Sequence, residues 1–368
     1  MPDRNQAMVL TAEYIADLIK VLQYGGDVPT LPEGVTYRGV YSLAKRHSLA
    51  GALWPLLEDA EETIADPELV SAWAAERERD FAKNLVQTRE FKSITTAFTE
   101  AGIPFLPMKG FIFKALWVKP EYRTMSYIDI YVSDSGIDRA SEVLRSLGYT
   151  LEHSNLVHDS YAKPPFMNIE LHRALERDHP ASFPDWSARE DNPCWYEMSD
   201  VDFLVFNVAH MYKHYKGGGS GIRSFFDLHL FLAAKKDVLD PDTARTALEA
   251  AGLYEFYLKA VALSEFWFGD READNDIRAT EYFIVTGGTY GNVENRVEHA
   301  LKHESGAKYF FRRTFPSYRS MCTIYGWLKP LPFLLPIAWI VRLVGALFTG
   351  RMGRELKAVD KARKETKE

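Results

Sequence analysis

The sequence predicts an α+β fold, with a small sheet set between two helical stretches. Three observations carry this. Apolar residues recur at helical spacing through residues 1–102 and again from Asp200 onward. Between them lie short runs rich in β-branched and aromatic residues, with acidic side chains at alternate positions. The order there is strand, helix, strand, helix, strand, which suits a small sheet with helices on one side.

Each element has a local reason. Ile15, Leu18, Ile19 and Leu22 form the first helical stripe, and Tyr41, Leu43, Ala44 and Leu49 continue it in YSLAKRHSLAGALWPLL. A long helix is expected from about Glu68 to Ala101, stopped at Gly102. Pro104–Met108 (PFLPM) reads as a short buried strand. Gly110 opens a helical stretch, FIFKALWV, that Pro120 breaks. Ile128–Val132 (IDIYV) and Met167–His172 (MNIELH) read as strands, with a helix between them capped by Asp134 or Ser135 and ended by Gly148. On an extended strand Asp129 points away from Ile128 and Ile130. Later helices are VDFLVFNVAHMYKHY, IRSFFDLHLFLAAKK, about Pro241–Gly252 behind Asp240, and about Tyr254–Phe268. The expected division is an N-terminal helical region (1–102), an α/β core (103–185), a C-terminal helical region (186–330), and an apolar helix with a basic tail (331–368).

Composition sets outer bounds. The chain has 368 residues, 46% hydrophobic and 26% charged, which is a globular balance. Net charge is −7, so no duplex nucleic acid partner is expected. Cys194 and Cys322 lack the spacing of a metal site or a disulfide framework, and the first twenty residues lack the apolar core of a leader peptide. A cytoplasmic location is expected. Leu331–Phe348 (LPFLLPIAWIVRLVGALF) is interrupted by Pro332, Pro336 and Arg342, whereas a spanning helix needs about twenty apolar residues. The expectation is a helix or helix pair buried against the body. The alternatives are peripheral membrane contact through 331–348, helped by Arg351, Arg354, Lys357 and Lys361, and after it a true span.

The chemistry gathers in the middle stretch. Nucleotidyl transfer needs divalent cations held by carboxylates, and donors that hold phosphates. Asp129 and Glu170 lie on separate strands. Met108–Lys109–Gly110 forms a strand-to-helix turn whose amides suit phosphate, and Arg123 offers a planar fork. His172 stands two residues after Glu170, placed to orient it or to meet phosphate. His210 and His214 are four apart, but HMYKH lacks the glutamate of a zinc-protease helix. Their expected role is to line a cleft, or to fix the helix junction with Arg223 and Asp227. KGGGSG lacks the Gly-Lys-Ser/Thr ending of a phosphate loop and reads as a flexible connector.

Taken together, FLPMKGFIFKALW, EYRTMSYIDIYV, SEVLRSLGY and NIELHRAL resemble the uncharacterised nucleotidyltransferase family of bacteria, within the DNA polymerase β-like superfamily. LAKRHSLAGALW, FNVAHMYKHY, GIRSFFDLHLFL and GGTYGN extend the resemblance over most of the chain. It implies a small polymerase-β-like nucleotidyltransferase sheet domain flanked by helical regions. It implies transfer of a nucleoside monophosphate from an NTP to a hydroxyl of a small-molecule or protein acceptor, with Mg²⁺ or Mn²⁺. Asp129 and Glu170 would be metal ligands, Glu170 alternatively a base. Lys109, Gly110 and Arg123 would surround the triphosphate, with Tyr127 and His172 beside them.

One position departs from the family. Its Asp-Ile-Asp reads Tyr127-Ile128-Asp129 here. A phenol, with a pKa near 10, is neutral at pH 7 and a poor ligand beside a carboxylate. Three readings stay open. The protein is a catalytically inactive nucleotide-binding or scaffold member. Or it works with one cation, or with Glu121 or Asp134 as a substitute ligand. Or it is a variant of an active parent that carried Asp.

Overall fold

In the computed structural model, which describes residues 4–58, 64–175, 186–348, 353, 355 and 357–359, the chain begins with four helices. They are α1 (Arg4–Tyr24), α2 (Tyr37–Arg46), α3 (Ala50–Leu57) and α4 (Pro67–Glu100). Local chemistry sets their starts. Thr36 and Asp66 accept the amides of Gly39 and Leu69, giving partners to helix N–H groups that otherwise have none. Pro67 opens α4, where no amide partner is needed.

The sheet region follows as β1 (Phe105–Pro107), α5 (Gly110–Lys114), β2 (Ile128–Val132), α6 (Ile137–Ser146), β3 (Thr150–Ser154), β4 (His158–Lys163), β5 (Met167–His172), β6 (Ser187–Arg189) and β7 (Asn192–Glu197). The strands form one mixed sheet in the order β3-β4-β5-β2-β1-β7-β6. β2 runs parallel to β5 with Asp129 opposite Glu170. β4 runs antiparallel to β5 with His158 opposite His172.

The three expected strands are present, and four more join them. β3 and β4 are polar enough to hide their alternation, and Asn155 turns between them by accepting the amides of Val157 and His158. β6 and β7 carry the sheet to residue 197, inside the stretch expected to be helical. Residues 176–185 of the expected core lie outside the described residues.

Next come α7 (Asp200–Lys216), α8 (Ile222–Lys235), α9 (Pro241–Ala250), α10 (Tyr254–Phe268), α11 (Asn275–Gly287), α12 (Val293–His303), α13 (Gly306–Thr314), α14 (Tyr318–Ile324) and α15 (Leu335–Phe348). The pleat decides what the sheet buries. Ile128, Ile130 and Val132 join Ile169 and Leu171 beneath Phe91, Ile94 and Phe98 of α4 and Leu144 of α6. On the opposite face Phe206 of α7 covers Leu106 and Met108. Helices therefore stand against both faces, not one. The two helical regions share a single core, in which Ile15, Leu53, Phe225, Leu263 and Ile284 meet.

Two expectations fail here. Gly218–Gly221, read as a flexible connector, are buried. A Cβ on Gly218 would meet the Asn292 carbonyl at 2.4 Å, and one on Gly219 would meet the Gly288 carbonyl at 2.5 Å. Glycine serves close backbone approach there, not mobility. The apolar helix α15 is not buried either: Ala338 is, but Ile337, Ile340, Val341 and Val344 are exposed. No described helix is long and apolar enough to cross a membrane. Most of the basic tail lies outside the described residues.

Candidate active site

The face of β2 and β5 turned away from α4 carries the polar residues. The parallel register sets Asp129 beside Glu170. His172, two residues on, shares that face, and His158 stands across from it on β4. His172 Nε2 lies 3.0 Å from Asp129 Oδ1 and 3.3 Å from Glu170 Oε2. His158 Nε2 is 3.7 Å from Glu170 Oε1. Lys109 Nζ donates to Asp129 Oδ1 at 2.9 Å.

These contacts fix the charge states. Burial by itself raises the Asp129 pKa, but Lys109 and His172 outweigh it and hold this carboxyl well below the usual range. Burial opposes a charged His172, yet its bonds to Asp129 and Glu170 leave its pKa raised. His158 is shifted down by burial. Lys109 itself has φ 48° and ψ −113°, the left-handed region that a non-glycine residue seldom adopts. Strain of this kind concentrates at functional sites.

This face floors a cavity of about 880 Å³, within the roughly 300–1,000 Å³ of small-molecule sites. Every candidate from the sequence lines it: Lys109, Gly110, Arg123, Tyr127, Asp129, Glu170 and His172. Their engagements differ from expectation in three places. Arg123 donates from Nε and from its terminal nitrogen to the two Asp227 oxygens, at 2.8 and 2.6 Å, and Trp117 adds a third bond at 2.9 Å. The fork expected for phosphate is closed on a buried carboxylate. Gly110 lets that arginine in, because a Cβ there would fall 2.7 Å from Arg123 and 2.9 Å from Met125 Sδ. Its helix α5 has only five residues, so its dipole is small. Lys109 places its charge on Asp129.

Tyr127 is 45% exposed, and burial with the nearby Glu170 raises its pKa, so it stays a neutral phenol. Of the substitute ligands, Glu121 pairs with Arg77 at 3.7 Å and does not line the cavity. The Asp134 side chain lies outside the described residues.

Sequence reasoning missed His158, Tyr290, Lys213 and Lys216, which also line the cavity. His158 sits on an unexpected strand, and Tyr290 arrives from beyond α11 to meet Ser126 at 2.8 Å. The available signal for Lys213 was its place beside His210 and His214 on one helical face. Those two histidines bring their Nε2 atoms to 3.1 Å. Arg223 donates to the Thr124 carbonyl at 2.6 Å; burial, then the nearby Arg123, pushes its pKa down to about 10, still cationic at pH 7. The cavity floor thus pairs two carboxylates with an ammonium and two imidazoles, and Lys213, Lys216 and Arg223 make its helix wall cationic.

His158, Glu170 and His172 each offer a ligand atom, all within 4.8 Å of one another, with Asp129 adjacent. With a phenol at 127, the donors suit one divalent cation rather than two. Their nitrogens suit Mn²⁺ or Zn²⁺ better than Mg²⁺.

A mixed sheet that presents carboxylates from neighbouring strands to a helix-walled cavity is consistent with the nucleotidyltransferase class. The chain belongs to the uncharacterised nucleotidyltransferase family, whose profile matches residues 34–269, from the loop before α2 through α10. A comparison with curated proteins found no match. Among solved structures it is similar to the solution structure of the antibiotic-resistance factor ANT(2'')-Ia, at 11% identity and TM-score 0.37, covering 48% of this chain and 96% of that one. That likeness is too distant to bear on the site.

Proposed function

We propose that the protein transfers a nucleoside monophosphate from an NTP to a hydroxyl acceptor, on a polymerase-β-like sheet. The carrying observation is the side-by-side placement of Asp129 and Glu170 on parallel strands facing the cavity. Two like charges adjacent on a sheet are unfavourable unless cationic groups share them; Lys109 and His172 do so in part, and a metal cation would complete it. One divalent cation at Asp129 and Glu170, with His158 as a further donor, would supply charge neutralisation at the phosphates, while His172, bonded to both carboxylates, would orient them. Lys109 and His172 hold Asp129 ionised and ready for it. Glu170 is the second ligand or takes the proton of the acceptor hydroxyl. Lys213, Lys216 and Arg223 give the opposite wall a charge that suits a polyphosphate.

Tyr127 favours a second reading. A neutral phenol where the family carries a carboxylate removes one cation ligand, and a protein that binds nucleotide without turnover would tolerate that. The separating experiment follows label from α-³²P NTPs, with Mg²⁺ or Mn²⁺, onto the protein and onto small hydroxyl acceptors, in the wild type and in Tyr127→Asp. Labelled product in the wild type supports the enzyme. Cation-dependent binding without label in either protein supports the binding-only reading. No NTP binding at all sinks both.

A further inference from the structure

The C-terminal segment differs in charge from everything before it. Residues 305–348 hold Lys308, Arg312, Arg313, Arg319, Lys329 and Arg342 and no acidic side chain. The rest of the chain then has 38 Lys and Arg against 51 Asp and Glu, a balance of −13 against the segment's +6. Arg312 pairs with Glu304 and Arg313 with Glu355. Lys308 and Arg319 are exposed.

Its helix is also inside out. On α15 the exposed Ile337, Ile340, Val341 and Val344 stand at i, i+3, i+4 and i+7, a single face. The other face turns inward: Ala338 is buried, Trp339 Nε1 donates to the Pro316 carbonyl at 2.9 Å, and Arg342 donates to the Arg313 carbonyl at 2.8 Å. Water should select the opposite arrangement. Aromatic contacts join α13 to the inner face of α15. Phe311 meets Phe315 at 5.2 Å, and Phe315 meets Trp339 at 5.2 Å. Phe333 is 72% exposed, and Trp327 is exposed as well. Exposed apolar side chains gathered on one helix face mark an interaction surface.

We propose that residues 305–348 dock the protein peripherally on an anionic lipid surface. Exposed apolar and aromatic side chains among cations are the chemistry of an interfacial helix. A second copy of the same face would set cation against cation. Among the described residues α15 covers fourteen, about 21 Å against a hydrocarbon core of about 30 Å, and no described helix is long and apolar enough to cross a membrane. Docking would also place the cavity at the lipid surface: Thr323 of α14 lines the cavity, and the next residue, Ile324, is exposed.

Flotation of the full chain with phosphatidylcholine vesicles, and with vesicles containing 30 mol% phosphatidylglycerol, tests this. The probe variant is Ile340→Glu/Val344→Glu, whose sites are exposed and so leave the core intact. The expected result is binding to anionic vesicles that weakens in 0.5 M salt and falls at least about tenfold in the variant, with the wild type monomeric. No binding to anionic vesicles, equal binding to neutral ones, or undiminished binding of the variant would overturn the proposal. So would a wild-type dimer that the variant abolishes, because the face would then belong to a second copy.

Discussion

Two charged clusters border the same cavity and differ in completeness. At the helix wall, Arg123 and Asp227 satisfy each other through two bonds, with Trp117 as a third donor, and both are buried. The pair ties the loop before β2 to α8. On the sheet, two carboxylates stand together, joined by two imidazoles and a lysine on a strained turn. The first cluster leaves no charge for a ligand. The second gathers carboxylates, imidazoles and an ammonium that share partners at a cavity floor. A buried ion pair with its partners filled is architecture, whereas carboxylates that share their partners and line a cavity are a candidate site.

The two clusters should differ most in what they contribute to stability. Asp227→Ala leaves a buried guanidinium without its partner and should cost about 3–5 kcal/mol, read as a large fall in Tm. Asp129→Asn should cost clearly less, because Lys109 is long enough to find water. Equal losses would erase the distinction between the two clusters.

Tyr127→Asp probes the sheet cluster alone. Restoring a carboxylate two residues before Asp129 adds an oxygen ligand on the same strand face. Affinity for Mn²⁺ or Mg²⁺, measured by calorimetry, should rise about tenfold or more. An unchanged affinity would mean that the cation does not sit at β2.

The smallest expected effect concerns His47, a completed group that pins the same helix α8. Its Nδ1 accepts the Ile222 amide at 3.1 Å, and burial pushes its pKa down to about 3. The folded state therefore binds fewer protons than the unfolded one below pH 6.5, so stability falls on acidification between about 6.5 and about 3. The slope is up to about 1.4 kcal/mol per pH unit. Denaturant unfolding at pH 6.5 and 5.5 measures it, and His47→Gln should flatten it.

The residues that line the cavity floor were legible because their signal is local. In IDIYV and NIELH the acid alternates with apolar side chains, and the alternation alone turns Asp129 and Glu170 to one face. What pairs over distance was not legible. Arg123 and Asp227 are 104 residues apart, so nothing near Arg123 shows that its fork is taken. His158 becomes part of the site only through the pairing of β4 with β5. KGGGSG has one composition whether it swings free or interlocks with the Gly287–Gly291 turn. The stretch 331–348 reads as buried because composition reports apolarity, while exposure depends on what covers the helix.

Calorimetric titration of NTP into the wild type and Asp129→Asn, with Mn²⁺ and without any divalent ion, decides whether Asp129 holds a cation that nucleotide binding needs. The account predicts NTP binding that requires the cation and weakens about 10- to 100-fold in Asp129→Asn, at unchanged fold by circular dichroism. NTP binding of equal affinity with and without the cation, and in both proteins, would contradict it.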